Sequence, residues 1–352
     1  MLGAKNPLHV GVLCIEDDFI SFELQQKIGS RSKVEMLDHA RLPVGSGDRW
    51  FQVVDLKNIP RMILDRYKKY VPLDLLSISI FGGVDSNRNL IRSVPRKDLD
   101  FKLRVYLSDI FEKVVKPKDP KNGDKNERII ANNDTVTMAL GHATSDSETI
   151  AYVHFGRGVG CGITHGLNKV NLNGRHSEFG HLRARMDPMD RMALTLADGT
   201  VLSNCRSHGG EEDEEKSDQT PCYDGLLARS TLMKLPTSIN KYEYFIRYSA
   251  QLLAIVALTG APNIIYIGGA SLKLVSSDLE KTLEDILRQF EWEIASYPGF
   301  PRTAFEHKRG TYIQLSDWSK SADSLGVETA AQKGAALLGW RALEDLAKKH
   351  SR

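Results

Sequence analysis

An α/β fold in two lobes is predicted by three observations. At 352 residues the chain is long enough for two cores rather than one. Short apolar or alternating runs at 8–14, 75–81, 149–155 and 264–267 read as buried strands, each closed by acidic or glycine-rich turn residues. Longer amphipathic or alanine-rich stretches separate them, so that strand and helix alternate in two successive blocks.

Taken in order, 8–14 continues through Ile15 as a buried strand, and Phe19 to Leu24 comes next as the second arm of a hairpin turning at Glu16-Asp17-Asp18. Residues 58–71 fit a helix with Ile59, Met62, Ile63, Tyr67 and Tyr70 on its apolar side. Leu75 to Phe81 is a β-rich run ended by Gly82-Gly83, and a helix is expected around 99–115. After a Lys/Asp/Pro/Gly loop, Arg128 to Ala131 reads as a short strand. A helix then starts at Asn132-Asn133-Asp134, capped by one of those side chains. The second block repeats the pattern: strand 149–155, glycine turn, strand 160–164, a long helix near 238–259 stopped by Gly260-Ala261-Pro262, and strand 264–267 running into Gly268-Gly269. An alanine-rich helix, about 327–348, closes the chain, its small residues suited to close packing. The division expected is a smaller N-terminal domain, 1–130, completed by that last helix, and a larger one, 131–326, carrying an acidic loop at 211–218.

Composition narrows the function. Hydrophobic residues make up 41% and charged residues 26%, as in ordinary globular proteins, and a net charge of +2 argues against a dedicated nucleic-acid binder. No apolar run is long enough to span a bilayer, and no secretory signal opens the chain. Four scattered cysteines do not make a disulfide framework, so a cytoplasmic protein with reduced thiols is expected.

The chemistry concentrates between Tyr152 and His181. Glycines at 156, 158, 160 and 162 remove Cβ atoms, letting main-chain N–H groups approach a ligand such as phosphate. Glu178 and His181 come soon after and suit a polar substrate.

Together these segments resemble the ROK family (repressor, open reading frame, kinase) of sugar kinases and sugar-responsive regulators. Ser79 to Asp85 with Ile91 to Pro95 is similar to the family's strand, glycine turn and following segment, and Ile130 to Ala143 to its Asn-Asp motif. Phe155 to Gly162 is similar to its phosphate turn and Ser177 to His181 to its Gly-Glu-x-Gly-His motif. Ile267-Gly268-Gly269 matches its nucleotide turn and Lys333 to Leu338 its closing helix. The resemblance implies a two-lobed actin/hexokinase-like (ribonuclease H-like) fold with the ligand cleft between the domains, and an ATP- and Mg²⁺-dependent carbohydrate kinase, a phosphotransferase to an alcohol group. It makes Asp134 the catalytic base and Gly82, Asn133, Glu178, His181, Asp224 and Arg96 sugar-binding residues. Gly156, Arg157, Gly158, Gly160, Gly268 and Gly269 fall at the nucleotide. A small-molecule sugar and a nucleotide are the implied ligands and a homodimer a frequent assembly, with neither nucleic acid nor membrane as partner. The family's helix-turn-helix has no counterpart ahead of the first strand here.

Several positions depart from the pattern. Leu13 to Asp18 replaces the family's first phosphate turn with three carboxylates, which repel a triphosphate unless Mg²⁺ intervenes. Arg157 replaces a threonine, and either clamps phosphate bidentately or fills the pocket and pairs with the Glu16/Asp17/Asp18 turn. Arg96 replaces a sugar-binding asparagine and suits an anionic or modified sugar, and Asp224 shortens a sugar-facing glutamate. The family's cysteine-rich zinc loop is broken. Cys205 and Cys222 match its outer cysteines and His208 lies beside the missing middle one, so His181, Cys205, His208 and Cys222 compose a structural zinc set, with a metal-free loop as the alternative. Two functions stay open: a kinase using Asp134, or a sugar-binding sensor or regulatory subunit without transfer activity.

Overall fold

The computed structural model describes residues 6–15, 20–29, 33–42, 53–85, 90–93, 105–117, 127–166, 168–169, 179–196, 201–202, 221–295, 312–316 and 329–350. The chain divides into two units.

The first unit runs to His142 and takes in the C-terminal helix Ala330–His350. Its strands are β1 (Leu8–Ile15), β2 (Ile20–Lys27), β3 (Glu35–Leu42), β4 (Leu75–Ile80), β5 (Gly83–Asp85), β6 (Leu90–Ser93), β7 (Val105–Tyr106) and β8 (Ile129–Asn133). Its other helices are α1 (Val53–Arg66), α2 (Leu107–Phe111) and α3 (Asp134–His142). The main sheet has the order β3-β2-β1-β4-β8, with β1, β2 and β3 an antiparallel meander and β1, β4 and β8 parallel. Alternation along β1 and β2 puts Leu13, Ile15, Phe22 and Leu24 into one core with Ile59 and Ile63 of α1 and Tyr67 just beyond it, the spacing expected of the helix. Ser77 Oγ of β4 donates to the Ala335 carbonyl, 2.6 Å away, tying the C-terminal helix to the sheet.

That helix also crosses α3 at closest approach. A Cβ on Gly334 would collide with the Thr137 carbonyl, and one on Gly141 with the Ala330 carbonyl. This crossing keeps α3 in the first unit, so the boundary lies after His142 rather than at residue 130. The helix expected around 99–115 shrinks to 107–111 among the described residues. Val105 and Tyr106 pair instead with Ile91 and Leu90, and Leu73 bridges Val115, so tertiary pairing overrides local helix propensity.

The second unit contains β9 (Thr149–Phe155), β10 (Val159–His165), β11 (Asn168–Lys169), β12 (Ile264–Gly268) and β13 (Ile313–Leu315). A 3-10 turn spans Phe179–His181, and the helices are α4 (Pro188–Leu194), α5 (Tyr223–Leu227), α6 (Arg229–Met233), α7 (Lys241–Gly260), α8 (Ala270–Val275) and α9 (Leu279–Ala295). The sheet order is β11-β10-β9-β12-β13, with an antiparallel meander on one side and β9, β12 and β13 parallel on the other. This repeats the topology of the first unit strand for strand. Ala151, Val153 and Phe155 face a core formed with α7 and α9, where the Phe155 and Phe245 rings meet edge to face with centroids 5.3 Å apart. Asn240 caps α7, its Oδ1 accepting the N–H groups of Tyr242 and Glu243. At the other end Gly260 is still helical, and Ile163 Cδ1 lies 2.7 Å from where a Cβ would stand, so the packing there favours glycine. Ala261 takes the left-handed conformation instead, with φ 43°. Among the described residues no helix is long and apolar enough to cross a membrane.

Candidate active site

Among the described residues, most of those singled out from the sequence lie at or beside the carboxyl ends of the parallel strands in each unit. That is where open α/β sheets bind ligands, since the connections leave main-chain groups exposed there.

In the first unit Gly82 follows β4 and Asn133 ends β8, next to β4 by the pairing of Ile80 with Asn133. Gly82 has φ 88°, a conformation that favours glycine, and its carbonyl accepts Asn133 Nδ2 at 3.1 Å. Asn133 Oδ1 accepts both the N–H (3.0 Å) and the hydroxyl (2.5 Å) of Thr135, so Asn133 is the N-cap of α3. Asp134 is the first residue of the helix, 8% exposed, and its Oδ1 accepts the Thr135 N–H at 2.8 Å. Behind it, Thr137 Oγ1 donates to the Asp134 carbonyl at 2.7 Å and accepts from Ser79 Oγ at 2.6 Å. Two buried hydroxyls thus fix the first turn of α3 to β4, and the helix N-terminus favours a negative charge at Asp134. Sequence reading passed over Ser79, Thr135 and Thr137. The signal for the last two is a threonine two residues after Asn133 and another three after Asp134, both spacings typical of local side-chain bonds to helix ends.

In the second unit the β9–β10 turn collects most of the remaining residues. Phe155 pairs with Val159, leaving Gly156-Arg157-Gly158 as the connection. The turn is held from several sides. The Gly156 N–H donates to the Gly158 carbonyl at 2.9 Å, and the Gly156 carbonyl accepts the Arg229 N–H (3.1 Å) and Ser271 Oγ (2.9 Å). Gly269, with φ 113°, packs against the Phe155 backbone, where a Cβ would collide with the Phe155 carbonyl. Gly180 packs likewise against the Val159 carbonyl. Gly268 ends β12, paired with His154, and Gly160 also pairs with His154 from the other side. Asp224 Oδ1 accepts the Val159 N–H at 2.6 Å and lies 2.5 Å from where a Cβ of Gly158 would stand.

One further grouping falls beside this turn. Ligand-type atoms of His181, Cys222 and Asp224 lie within 4.8 Å of one another. Cys222 is buried and caps α5, its Sγ accepting the Gly225 N–H at 3.4 Å. An imidazole, a thiol and a carboxylate are donor types that suit zinc. Cys161, by contrast, is fully buried on β10 and burial pushes its thiol well above the usual range, so it is an inert core residue. Glu178, Arg96, Cys205, His208, the Glu16-Asp17-Asp18 turn and the acidic run 211–218 lie outside the described residues.

No protein-family model matches the chain, and neither does any curated protein. Solved structures do match along nearly its whole length. A ROK hexokinase from Thermus thermophilus is 18% identical with a TM-score of 0.55, over 96% of this chain and 100% of that one. A ROK family glucokinase from Streptomyces griseus, in complex with glucose and AMPPNP, is 17% identical with a TM-score of 0.54, over 95% and 99%. A ROK family transcriptional regulator described as a homolog of the E. coli MLC protein is 17% identical with a TM-score of 0.57, over 96% of this chain and 79% of that one. The chain has the actin/hexokinase-like α/β fold that ROK proteins share, and this fold serves both kinases and regulators among them.

Proposed function

We propose that the chain is a ROK-type sugar kinase-like protein that transfers the γ-phosphoryl group of Mg-ATP to a hydroxyl of a hexose or modified sugar. The observation that carries this reading is Asp134: a carboxylate at the carboxyl end of β8 and the N-terminus of α3, with its first turn anchored by Thr137 and Ser79. A base for this reaction must be ionised and rigidly placed, and phosphoryl transfer depends mostly on positioning and electrostatics. Asp134 takes the proton of the sugar hydroxyl as that oxygen bonds to phosphorus and ADP leaves. Asn133 caps the helix while retaining an amide directed at Gly82, so it orders the strand exit beside the base. The sugar-hydroxyl roles of Asn133, Glu178, His181, Asp224, Gly82 and Arg96 belong to the same proposal, as do the nucleotide roles of the Gly156-Arg157-Gly158-Val159-Gly160 turn and of Gly268 and Gly269.

A second role for His181 is as a zinc ligand with neighbouring Cys222, the remaining ligands being Cys205 and His208; the metal would order the turn and α5 rather than enter the reaction. Metal analysis of protein purified without chelator should give about one zinc per chain, falling when Cys222 is changed to alanine.

The test of the kinase reading is product analysis. Incubation with Mg-ATP and a panel of hexoses, amino sugars and sugar acids should yield a phosphorylated sugar detectable by mass spectrometry. The second reading, a sugar-binding protein without transfer, is favoured by the Asp224 carboxylate on the Val159 N–H, which opposes a phosphate at that donor. Sugar binding by calorimetry with no phosphorylated product from any member of the panel would decide for it.

A further inference from the structure

Of the ion-pair cluster around Asp74, the buried polar ladder of β2 against the C-terminal helix, the exposed methionines of α4 and the β9–β10 turn, only the turn brings a charged side chain onto main-chain groups suited to a ligand. We infer that Asp224 is an internal anion that closes the glycine turn, so that phosphate binding there requires this carboxylate to leave.

Main-chain N–H groups of a short glycine-containing turn bind anions when several point outward together. Two of those in this turn are already committed. The Gly156 N–H goes to the Gly158 carbonyl, and the Val159 N–H goes to Asp224 Oδ1 at 2.6 Å, a short charge-assisted bond. The carboxylate also fills the space the turn leaves open, since Oδ1 stands 2.5 Å from the Cβ position of Gly158. An incoming phosphate therefore meets an occupied donor and a negative charge.

The position of Asp224 makes the closure specific. It sits in the first turn of α5, where the Ala228 N–H bonds the Asp224 carbonyl, and α6 begins immediately after, its Arg229 N–H bonding the Gly156 carbonyl. The segment that carries the carboxylate is thus anchored to the same turn on its other side. Release of the Val159 N–H requires the Asp224 side chain to leave it. A polyol hydroxyl that hydrogen-bonds to Asp224 supplies an alternative partner for the carboxylate, so a sugar at Asp224 and a phosphate at the turn would favour one another. This coupling rests on the sugar and nucleotide assignment proposed above, whereas the closure itself does not.

The experiment uses inorganic tripolyphosphate, without sugar or Mg²⁺, and calorimetry on the full chain. Removing a charged acceptor from an anion site should tighten tripolyphosphate binding by about tenfold or more in Asp224→Ala. Asp224→Asn, which keeps an acceptor but not the charge, should fall between it and the wild type. Thermal unfolding establishes that each variant is folded; if Asp224→Ala is not, the near-isosteric Asp224→Asn decides. Binding no tighter than wild type in the folded variant that is read would overturn the closure. A gain in tripolyphosphate binding without any sugar phosphorylation by the wild type would leave the closure standing and remove the kinase reading. A gain that does not change when the sugar that binds best is added would remove the coupling.

Discussion

The two units fold one sheet twice, and the sequences linking the first two strands in each differ in charge. In the first unit β1 and β2 are joined by Glu16-Asp17-Asp18-Phe19, and in the second β9 and β10 by Gly156-Arg157-Gly158. The first sequence is acidic; in the second, the N–H of Val159, the residue after the two glycines and the arginine, is held by the Asp224 carboxylate. The exits of the second parallel strand are more alike. Gly82 follows β4 and Gly269 follows β12, both with positive φ. After β8, the third parallel strand of the first unit, comes the capped helix with Asp134. Topology therefore decides where side chains can meet a ligand, at the carboxyl ends, and the residues at each exit decide what chemistry they present there. The first unit places a buried carboxylate, Asp134, at a strand exit, and the second places a glycine-containing turn there.

The two glycines at the strand exits give the sharpest contrast. Gly269→Ala adds a Cβ against the Phe155 carbonyl and strains a φ of 113°, so a loss of roughly 3 kcal/mol or more is expected in urea unfolding. Gly82→Ala meets mainly the left-handed strain, about 1–2 kcal/mol, because Gly82 is half-buried at the end of β4. Equal losses at the two positions would mean that the Phe155 carbonyl yields and adds nothing to the backbone strain the two exits share.

Removing the cap is expected to cost less. Asn133→Ala takes away the acceptor of the Thr135 N–H and hydroxyl, and should destabilise the first unit by about 1 kcal/mol. Its effect on sugar affinity should exceed what that loss explains, whereas Asn240→Ala, an equivalent cap on α7, should cost a similar stability and leave sugar affinity unchanged. A matching loss of affinity in Asn240→Ala would remove the special role of Asn133.

The smallest effect separates the units by pH. His39, on β3, is held below its ordinary pKa of 6.5, first by burial and then by the Arg41 charge, and its Nε2 meets Gln332 Nε2 at 2.8 Å, so the nitrogen accepts from the amide. With a folded pKa below the unfolded one, the unfolded chain binds the proton first. This contribution to stability is present above pH 6.5 and is lost as pH falls through the folded value. His39→Gln should flatten that acid-side decline of the first unit, and an unchanged slope would show that another group causes it.

Much of the scaffold was legible because local rules and tertiary packing agree. The Asx residues at 132–134 announce a helix start, and Asn133 proves to be the cap. Alternating apolar residues announced β1, β4, β9 and β12. β3 gave no such signal: Glu35 to Leu42 contains residues that fit a helix as well as a strand, and its pairing with β2 is what fixes it. The stop at Gly260-Ala261-Pro262 was legible, yet its details were not, since Ala261 rather than the glycine goes left-handed. The site was readable residue by residue and unreadable as an assembly. No local pattern tells that Asp224, 65 residues away, binds the Val159 N–H, or that Ser79 of β4 supports Thr137 of α3.

The central claim is that Asp134 accepts the proton in phosphoryl transfer to a sugar. Coupled ADP release with Mg-ATP and the best sugar of the panel tests it most directly, comparing the wild type with Asp134→Asn under saturating conditions. The predicted result is a fall of roughly 10²–10⁴-fold in turnover with sugar affinity retained. Turnover in Asp134→Asn equal to that of the wild type would contradict it.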